Sequence, residues 1–183
     1  VDPLGFKIFN YSSNTIIQRD LDTEYQLEIT TAEGDVLTSF TRFLEPVPID
    51  STVVEFNDSR EAAFLTWFTD IPDVANYYRF SLHLGGLDRE PEQVFALDDD
   101  VFDGDDTLFG TGFEYEVGDT MISTLYTIDL AYHDFLESVT AAQSANTNPF
   151  AQPSRIFSNI EGENTLGIFT TINFDRVTAI ISD

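Results

Sequence analysis

Six carboxylates crowd into the nine residues Asp98-Asp99-Asp100-Val101-Phe102-Asp103-Gly104-Asp105-Asp106, the densest charge in the chain. Carboxylate oxygens at this density can hold a hard cation, and Gly104 gives the backbone room for a tight turn. Asp98, Asp100, Asp103 and Asp105 are the candidate ligands, and Ca²⁺ is the one cofactor the run suggests. The spacing departs from the EF-hand loop. With Gly104 at its glycine position, Val101 falls at a ligand position and Gly110 stands where a Glu should close the site. The competing reading is a solvated acidic loop that binds nothing.

Other chemistries find less to work with. The chain has 2 His, His83 and His133. His83 shares a strand face with Tyr77 and Arg79, and His133 lies beside Asp134, off the apolar stripe of a helix, where it reads as a surface residue. A Ser–His–Asp triad needs a Ser on a sharp strand-to-helix turn, and no G-x-S-x-G occurs. With 0 Cys, thiolate catalysis, disulfides and Cys-ligated metals are excluded. Leu84-Gly85-Gly86-Leu87 reads as a turn, not a phosphate cradle. Among 33 Asp and Glu some pair will always sit at a working distance for glycoside hydrolysis, so such a pair is uninformative. A carbohydrate-active hydrolase stays a remote alternative, and the sequence supplies no catalytic residue.

Charge narrows the field further. Eight basic residues face 33 acidic ones, for a formal net charge of -25. Nucleic-acid binding requires Lys/Arg clusters that displace counterions, and none are present. An anionic membrane surface would repel the chain for the same reason. The acidity does not mean disorder, because 42% of the residues are hydrophobic and 14% aromatic. Self-repulsion on this scale is relieved by salt, whose screening length falls from about 10 Å at 0.1 M to about 3 Å at 1 M. A salt-rich habitat is one explanation, and an acidic extracytoplasmic protein is the other. No apolar run approaches the ~20 residues of a membrane helix. The chain opens at Val1 with no signal peptide, as a sequence does after processing or when an upstream part is missing.

The elements that must position these residues are mostly strands. Tyr25, Leu27 and Ile29 alternate with Gln26, Glu28 and Thr30, and a turn over Ala32–Asp35 leads to a returning strand at Val36–Phe43. Glu45-Pro46-Val47-Pro48-Ile49-Asp50 is stiff and extended, and a domain boundary is placed there. Further strands are expected at Thr52–Asn57, Ala62–Thr69, Asn76–Leu84, Gln93–Leu97, Phe113–Val117, Thr120–Ile128, Leu166–Ile172 and Phe174–Ile181. Tyr78, Phe80, Leu82 and Leu84 should face the core, with Tyr77, Arg79, Ser81 and His83 opposite. One amphipathic helix is expected over about Ile128–Ser144, with the stripe Ile128, Tyr132, Phe135, Leu136, Val139 packed on the sheet. Thr127 would cap it and Asn148-Pro149 would end it. The fold class is mostly β, a β-sandwich or open barrel with one packed helix.

Several segments, in order, resemble one family. They are the Tyr25–Ile29 strand with its Gly34 turn, Pro46-Val47-Pro48-Ile49-Asp50-Ser51, Asn76-Tyr77-Tyr78-Arg79-Phe80 and Asp100-Val101-Phe102-Asp103-Gly104. The helix with Tyr132 and Phe135 follows, then Asn148-Pro149-Phe150, Pro153, Ser158-Asn159-Ile160-Glu161-Gly162 and Leu166-Gly167-Ile168-Phe169. This order is similar to the Bacteroidota lipoprotein family catalogued as domain of unknown function 4249. The resemblance implies an exported protein, lipidated on an upstream Cys absent from this chain and attached to the outer membrane on its periplasmic or cell-surface side. It implies an N-terminal immunoglobulin-like domain, of which residues 1–45 would be the closing strands, and a β-rich domain with one helix over residues 46–183. It implies an outer-membrane partner, such as a TonB-dependent receptor, and no catalytic residue. The expected function is a non-enzymatic accessory or binding lipoprotein, with a structural or adhesive surface component as the alternative.

Overall fold

A computed structural model describes residues 13–147 and 155–182. Within them lie nine strands and one helix. β1 (Glu24–Thr30) and β2 (Val36–Arg42) form the expected antiparallel hairpin, closed by Thr31 N to Asp35 O at 2.9 Å and Gly34 N to Thr31 O at 3.1 Å. Gly34 takes a φ of 92°, which its lack of a Cβ permits.

Two antiparallel sheets make the body. One orders β3 (Ser51–Phe56), β4 (Ala62–Thr69) and β7 (Asp106–Gly110). The other orders β6 (Gln93–Asp98), β5 (Tyr77–Leu84), β8 (Thr120–Ile128) and β9 (Asn173–Ile180). The sheets pack face to face as an open sandwich, not a closed barrel. Phe64 and Phe68 of β4 meet Tyr78, Phe80 and Leu82 of β5, as the alternation demands. Phe109 stacks between the sheets, 4.5 Å from Phe80 and 5.4 Å from Phe68 between ring centroids. One polar pair crosses the core: the hydroxyls of Thr66 and Ser123 lie 2.7 Å apart, so neither is buried without a partner.

The proline segment before β3 is built into this core. Val47 and Ile49 are buried, Val47 N donates to Thr127 Oγ1 at 3.2 Å, and Ile49 N donates to Asp175 Oδ2 at 2.8 Å.

Three expectations need correction, and one strand is additional. Phe113–Val117 forms a single bridge, Tyr115 to Ala62, instead of a strand. Leu166–Ile172 is not a strand either, because side chains take the place of a ladder. Asn159 Oδ1 accepts Phe169 N at 2.9 Å, Asn159 Nδ2 donates to Phe169 O at 2.7 Å, and Thr41 Oγ1 accepts Thr171 N at 3.2 Å. β7, which begins at the last Asp of the acidic run, is a strand beyond those expected. Finally, α1 spans Leu130–Thr147, and its cap is Asp129, not Thr127. Asp129 Oδ1 accepts Tyr132 N at 2.7 Å, whereas Thr127 and Ile128 are buried as the last residues of β8. Tyr132, Phe135, Leu136 and Val139 are half-buried, and the helix packs on β5 and β6. The expected stop at Asn148-Pro149 and the Phe150 and Pro153 positions lie outside the described residues.

Candidate functional site

The loops joining β4 to β5 and β6 to β7 meet at one end of the sandwich. Asp70, at the end of β4, is 3% exposed, and Asp99, just after β6, is 5% exposed. With Asp103 they place one carboxylate oxygen each within 4.8 Å of one another.

Each carboxylate is held from its own side. The Tyr78 hydroxyl donates to Asp70 Oδ1 in a short hydrogen bond, and Gly104 N donates to Asp70 Oδ2 at 2.9 Å. Asn76 N donates to Asp99 Oδ2 at 2.7 Å, and Asp73 N donates to Asp103 Oδ1 at 2.8 Å. Backbone amides and a phenol therefore carry part of the negative charge. The Tyr78 phenol is pushed far above its ordinary value, first by burial, then by its bond to Asp70 and the charges of Asp70 and Asp99.

Backbone geometry locks the two loops together. Gly104 has a φ of 73°, and a Cβ there would stand 2.7 Å from Pro72 Cβ. Asp73, opposite, takes a φ of 64°, a left-handed conformation that Asp tolerates better than most residues.

The sequence pointed to Asp98, Asp100, Asp103 and Asp105, and the structure brings only Asp103 into the trio. Asp98 ends β6 and accepts Asp100 N at 3.3 Å. Asp100 is exposed and lines an open cavity of about 340 Å³ with Asp73, Asp99 and Asp103. Asp105 contributes its backbone carbonyl, which accepts Asp70 N at 3.2 Å. The missed members are Asp99, inside the run, and Asp70, on a distant strand. Nothing local in the sequence marks Asp70, because only the pairing of β4 with β7 brings it to the loop.

Chemically, Asp70, Asp99 and Asp103 could hold a hard cation through three carboxylate oxygens. Ca²⁺ takes six to eight oxygens in general, so other oxygens would have to complete the shell. The visible bonds show a different task already done: the carboxylates stitch two loops into one rigid end.

Beside the trio opens a cavity of about 310 Å³, its wall mostly apolar (Leu44, Ile71, Val74 and Leu130 among others) but including the carboxylates Glu45 and Asp129. Val74 and Leu130 are exposed at its rim.

The histidines lie elsewhere. His83 sits on the outer face of β5, and its imidazole is pushed below its ordinary value by burial, then by Arg176 and Arg79. His133 is not the surface residue its sequence context suggested. Its side chain is 13% exposed and packs against Tyr77 in a tilted ring pair with centroids 5.1 Å apart. No helix among the described residues is long and apolar enough to cross a membrane, which says nothing of β-barrels.

A family model described as "Domain of unknown function (DUF4249)" matches residues 7–177. The chain belongs to that family. No curated protein and no solved structure matches it.

Proposed function

We propose, from this family membership, that the chain is the binding part of a non-enzymatic accessory lipoprotein of the Bacteroidota outer membrane. A lipid carried outside these residues would tether it, and a TonB-dependent receptor would be its partner. The observation that supports the reading is the loop end: a largely apolar cavity of about 310 Å³ beside loops that three carboxylates tie together. Loops fixed on a β scaffold are a common place for recognition. The cavity's exposed rim offers apolar surface in an otherwise acidic shell.

Isolation from native membranes under mild detergent tests this. The expected result is a β-barrel receptor that accompanies the wild-type protein and is lost on Val74→Asp or Leu130→Asp, with the fold intact by circular dichroism. Recovery of the protein alone, across detergents, would overturn the reading.

A second reading, a structural or adhesive component, is favoured by the open edge strand β9, whose Phe174 and Ile180 are exposed. A strictly monomeric state over a wide concentration and salt range would remove it. A glycoside hydrolase would hold its two carboxyl groups about 5–5.5 Å or 6.5–9.5 Å apart around the scissile bond. The Asp70, Asp99 and Asp103 oxygens lie within 4.8 Å and bond to the protein's own amides and Tyr78, which supports binding over hydrolysis.

A further inference from the structure

The outer face of the four-stranded sheet carries a second arrangement. Strand register puts Arg79 opposite Tyr126 and Tyr126 opposite Phe174; in the next row Ser81 faces Thr124 and Thr124 faces Arg176. His83 follows Ser81 on the same face of β5. Same-face neighbours stand roughly 6.5–7 Å apart along a strand and about 4.8 Å apart across strands, so these groups form one patch.

The two arginines are held without acid. Arg79 stacks over the Tyr126 ring at 5.5 Å and reaches the Tyr132 hydroxyl at 3.4 Å. Arg176 stacks over Phe174 at 4.9 Å and donates from Nε to Thr124 Oγ1 at 2.9 Å. Among the described residues neither pairs with a carboxylate, although the chain has 33 Asp and Glu against 8 Lys and Arg. A guanidinium has five N–H donors. Each arginine here uses one, and the remaining forks suit the two oxygens of a carboxylate.

Two further polar atoms lie enclosed beneath this patch. Ser81 is 3% exposed and its Oγ has no hydrogen-bond partner among the described residues; His83 Nδ1 has none either. Enclosed as they are, they leave the half-buried Arg79 and Arg176 and the exposed Phe174 as the groups of this face that a ligand can reach. Beside them α1 covers β5 and β6 and leaves Phe174 53% exposed, an aromatic surface at the edge of the cationic patch.

We propose that this face, centred on Arg79 and Arg176, binds a singly charged carboxylate carried on a ring, of which a hexuronate is the simplest form. The guanidinium forks take the carboxylate, and Phe174 takes the ring's apolar face. Net charge selects the valence. A protein at -25 repels every anion at long range, and more strongly the greater the anion's charge, so one carboxylate is favoured over a phosphate dianion. The site is separate from the loop end and independent of any membrane partner, so its success or failure leaves the accessory-protein reading to its own test.

The experiment titrates the purified chain with sodium glucuronate, glucose and inorganic phosphate at one fixed NaCl concentration, following the arginine Nε–H signals by NMR. Glucuronate is expected to shift Arg79 and Arg176 saturably, glucose to leave them unmoved, and phosphate to bind more weakly than glucuronate. Arg79→Gln and Arg176→Gln are each expected to weaken glucuronate binding by about tenfold or more, the scale of a lost charge-assisted hydrogen bond. Arg176→Lys, which keeps the charge and loses the fork, should fall between. Should a variant fail to fold, the contrast between glucuronate and glucose on the wild-type chain still decides. Equal responses to the two sugars, or unchanged binding in both folded Gln variants, would overturn the proposal and leave a purely structural ladder. Phosphate binding as tight as glucuronate would overturn the ring-carboxylate assignment.

Discussion

The loop end and the outer sheet face treat charge in opposite ways. At the loop end, two buried acids and one exposed acid gather with no base, and amides of Asp73, Asn76 and Gly104 plus the Tyr78 phenol hold them. On the sheet face, two arginines form no ion pair among the described residues and are held by Tyr126, Phe174, Thr124 and Tyr132. A chain so unbalanced in charge does not neutralise either group with an ion pair. The lesson is that local dipoles and aromatic quadrupoles do here what salt bridges do elsewhere. The loop end is the rigid half of the contrast, because its partners are backbone. The sheet face keeps free donors and is the responsive half.

The contrast breaks most severely at Gly104. Ala there would place a Cβ 2.7 Å from Pro72 Cβ at a φ of 73°. The positive φ alone costs about 1–3 kcal/mol for a residue with a Cβ, and the collision adds to that. Gly104→Ala should therefore lose roughly 2–4 kcal/mol in urea unfolding. The same change at Gly34, which has open space but a φ of 92°, should cost only the backbone part. Equal losses at the two positions would mean that the loops are not locked.

Tyr78→Phe removes the phenol that donates to Asp70 and should cost about 1–3 kcal/mol at neutral pH, since Asp70 stays buried with an unmet acceptor. Its alkaline behaviour gives a sharper reading. The folded-state value of Tyr78 is raised above 10.0, so the folded chain keeps a proton that the unfolded chain releases. Stability is then fully present below pH 10.0 and declines as pH rises beyond it. Tyr78→Phe should flatten that decline without abolishing it, because Tyr77 and Tyr115 are also raised, both first by burial. Denaturant midpoints from neutral pH to about pH 11 measure it.

Legibility in the sequence follows the same divide between local and distant causes. β4 and β8 are found with both ends correct, because Phe64, Thr66 and Phe68, and Met121, Ser123 and Leu125, repeat every second residue toward one core. β7 is hidden because Asp106 and Thr107 look like more of the acidic loop, and only pairing with Thr69 and Phe68 makes them a strand. Leu166–Ile172 misleads in the reverse sense: its composition suits a strand, but Asn159 and Thr41 side chains satisfy its backbone. Asp129 displaces Thr127 as the cap because Thr127 is committed to Val47 N. Asp99 was visible in the run, whereas Asp70 needed long-range register. Arg79, Ser81 and His83 were legible as one strand face; Arg176 joins them only through the pairing of β8 with β9.

The smallest effect tests whether the arginines truly face His83. Burial is the first cause of that imidazole's low value, and Arg176 and Arg79 follow. Removing one cation should therefore raise the titration midpoint only part of the way toward 6.5. The sign carries through to stability. The folded chain resists a proton that the unfolded chain accepts, so stability falls as pH drops below 6.5 and stops falling below the folded midpoint. Arg176→Gln should make that acid loss shallower, and Arg79→Gln should do the same to a lesser degree. The imidazole Hε1 resonance of His83 followed through pH reads the midpoint directly. A His83 midpoint unchanged in both variants would mean that the guanidinium groups point away from the patch centre. The two cations would then be separate surface charges, and the opposition between acid-held and base-held ends would reduce to the loop end alone.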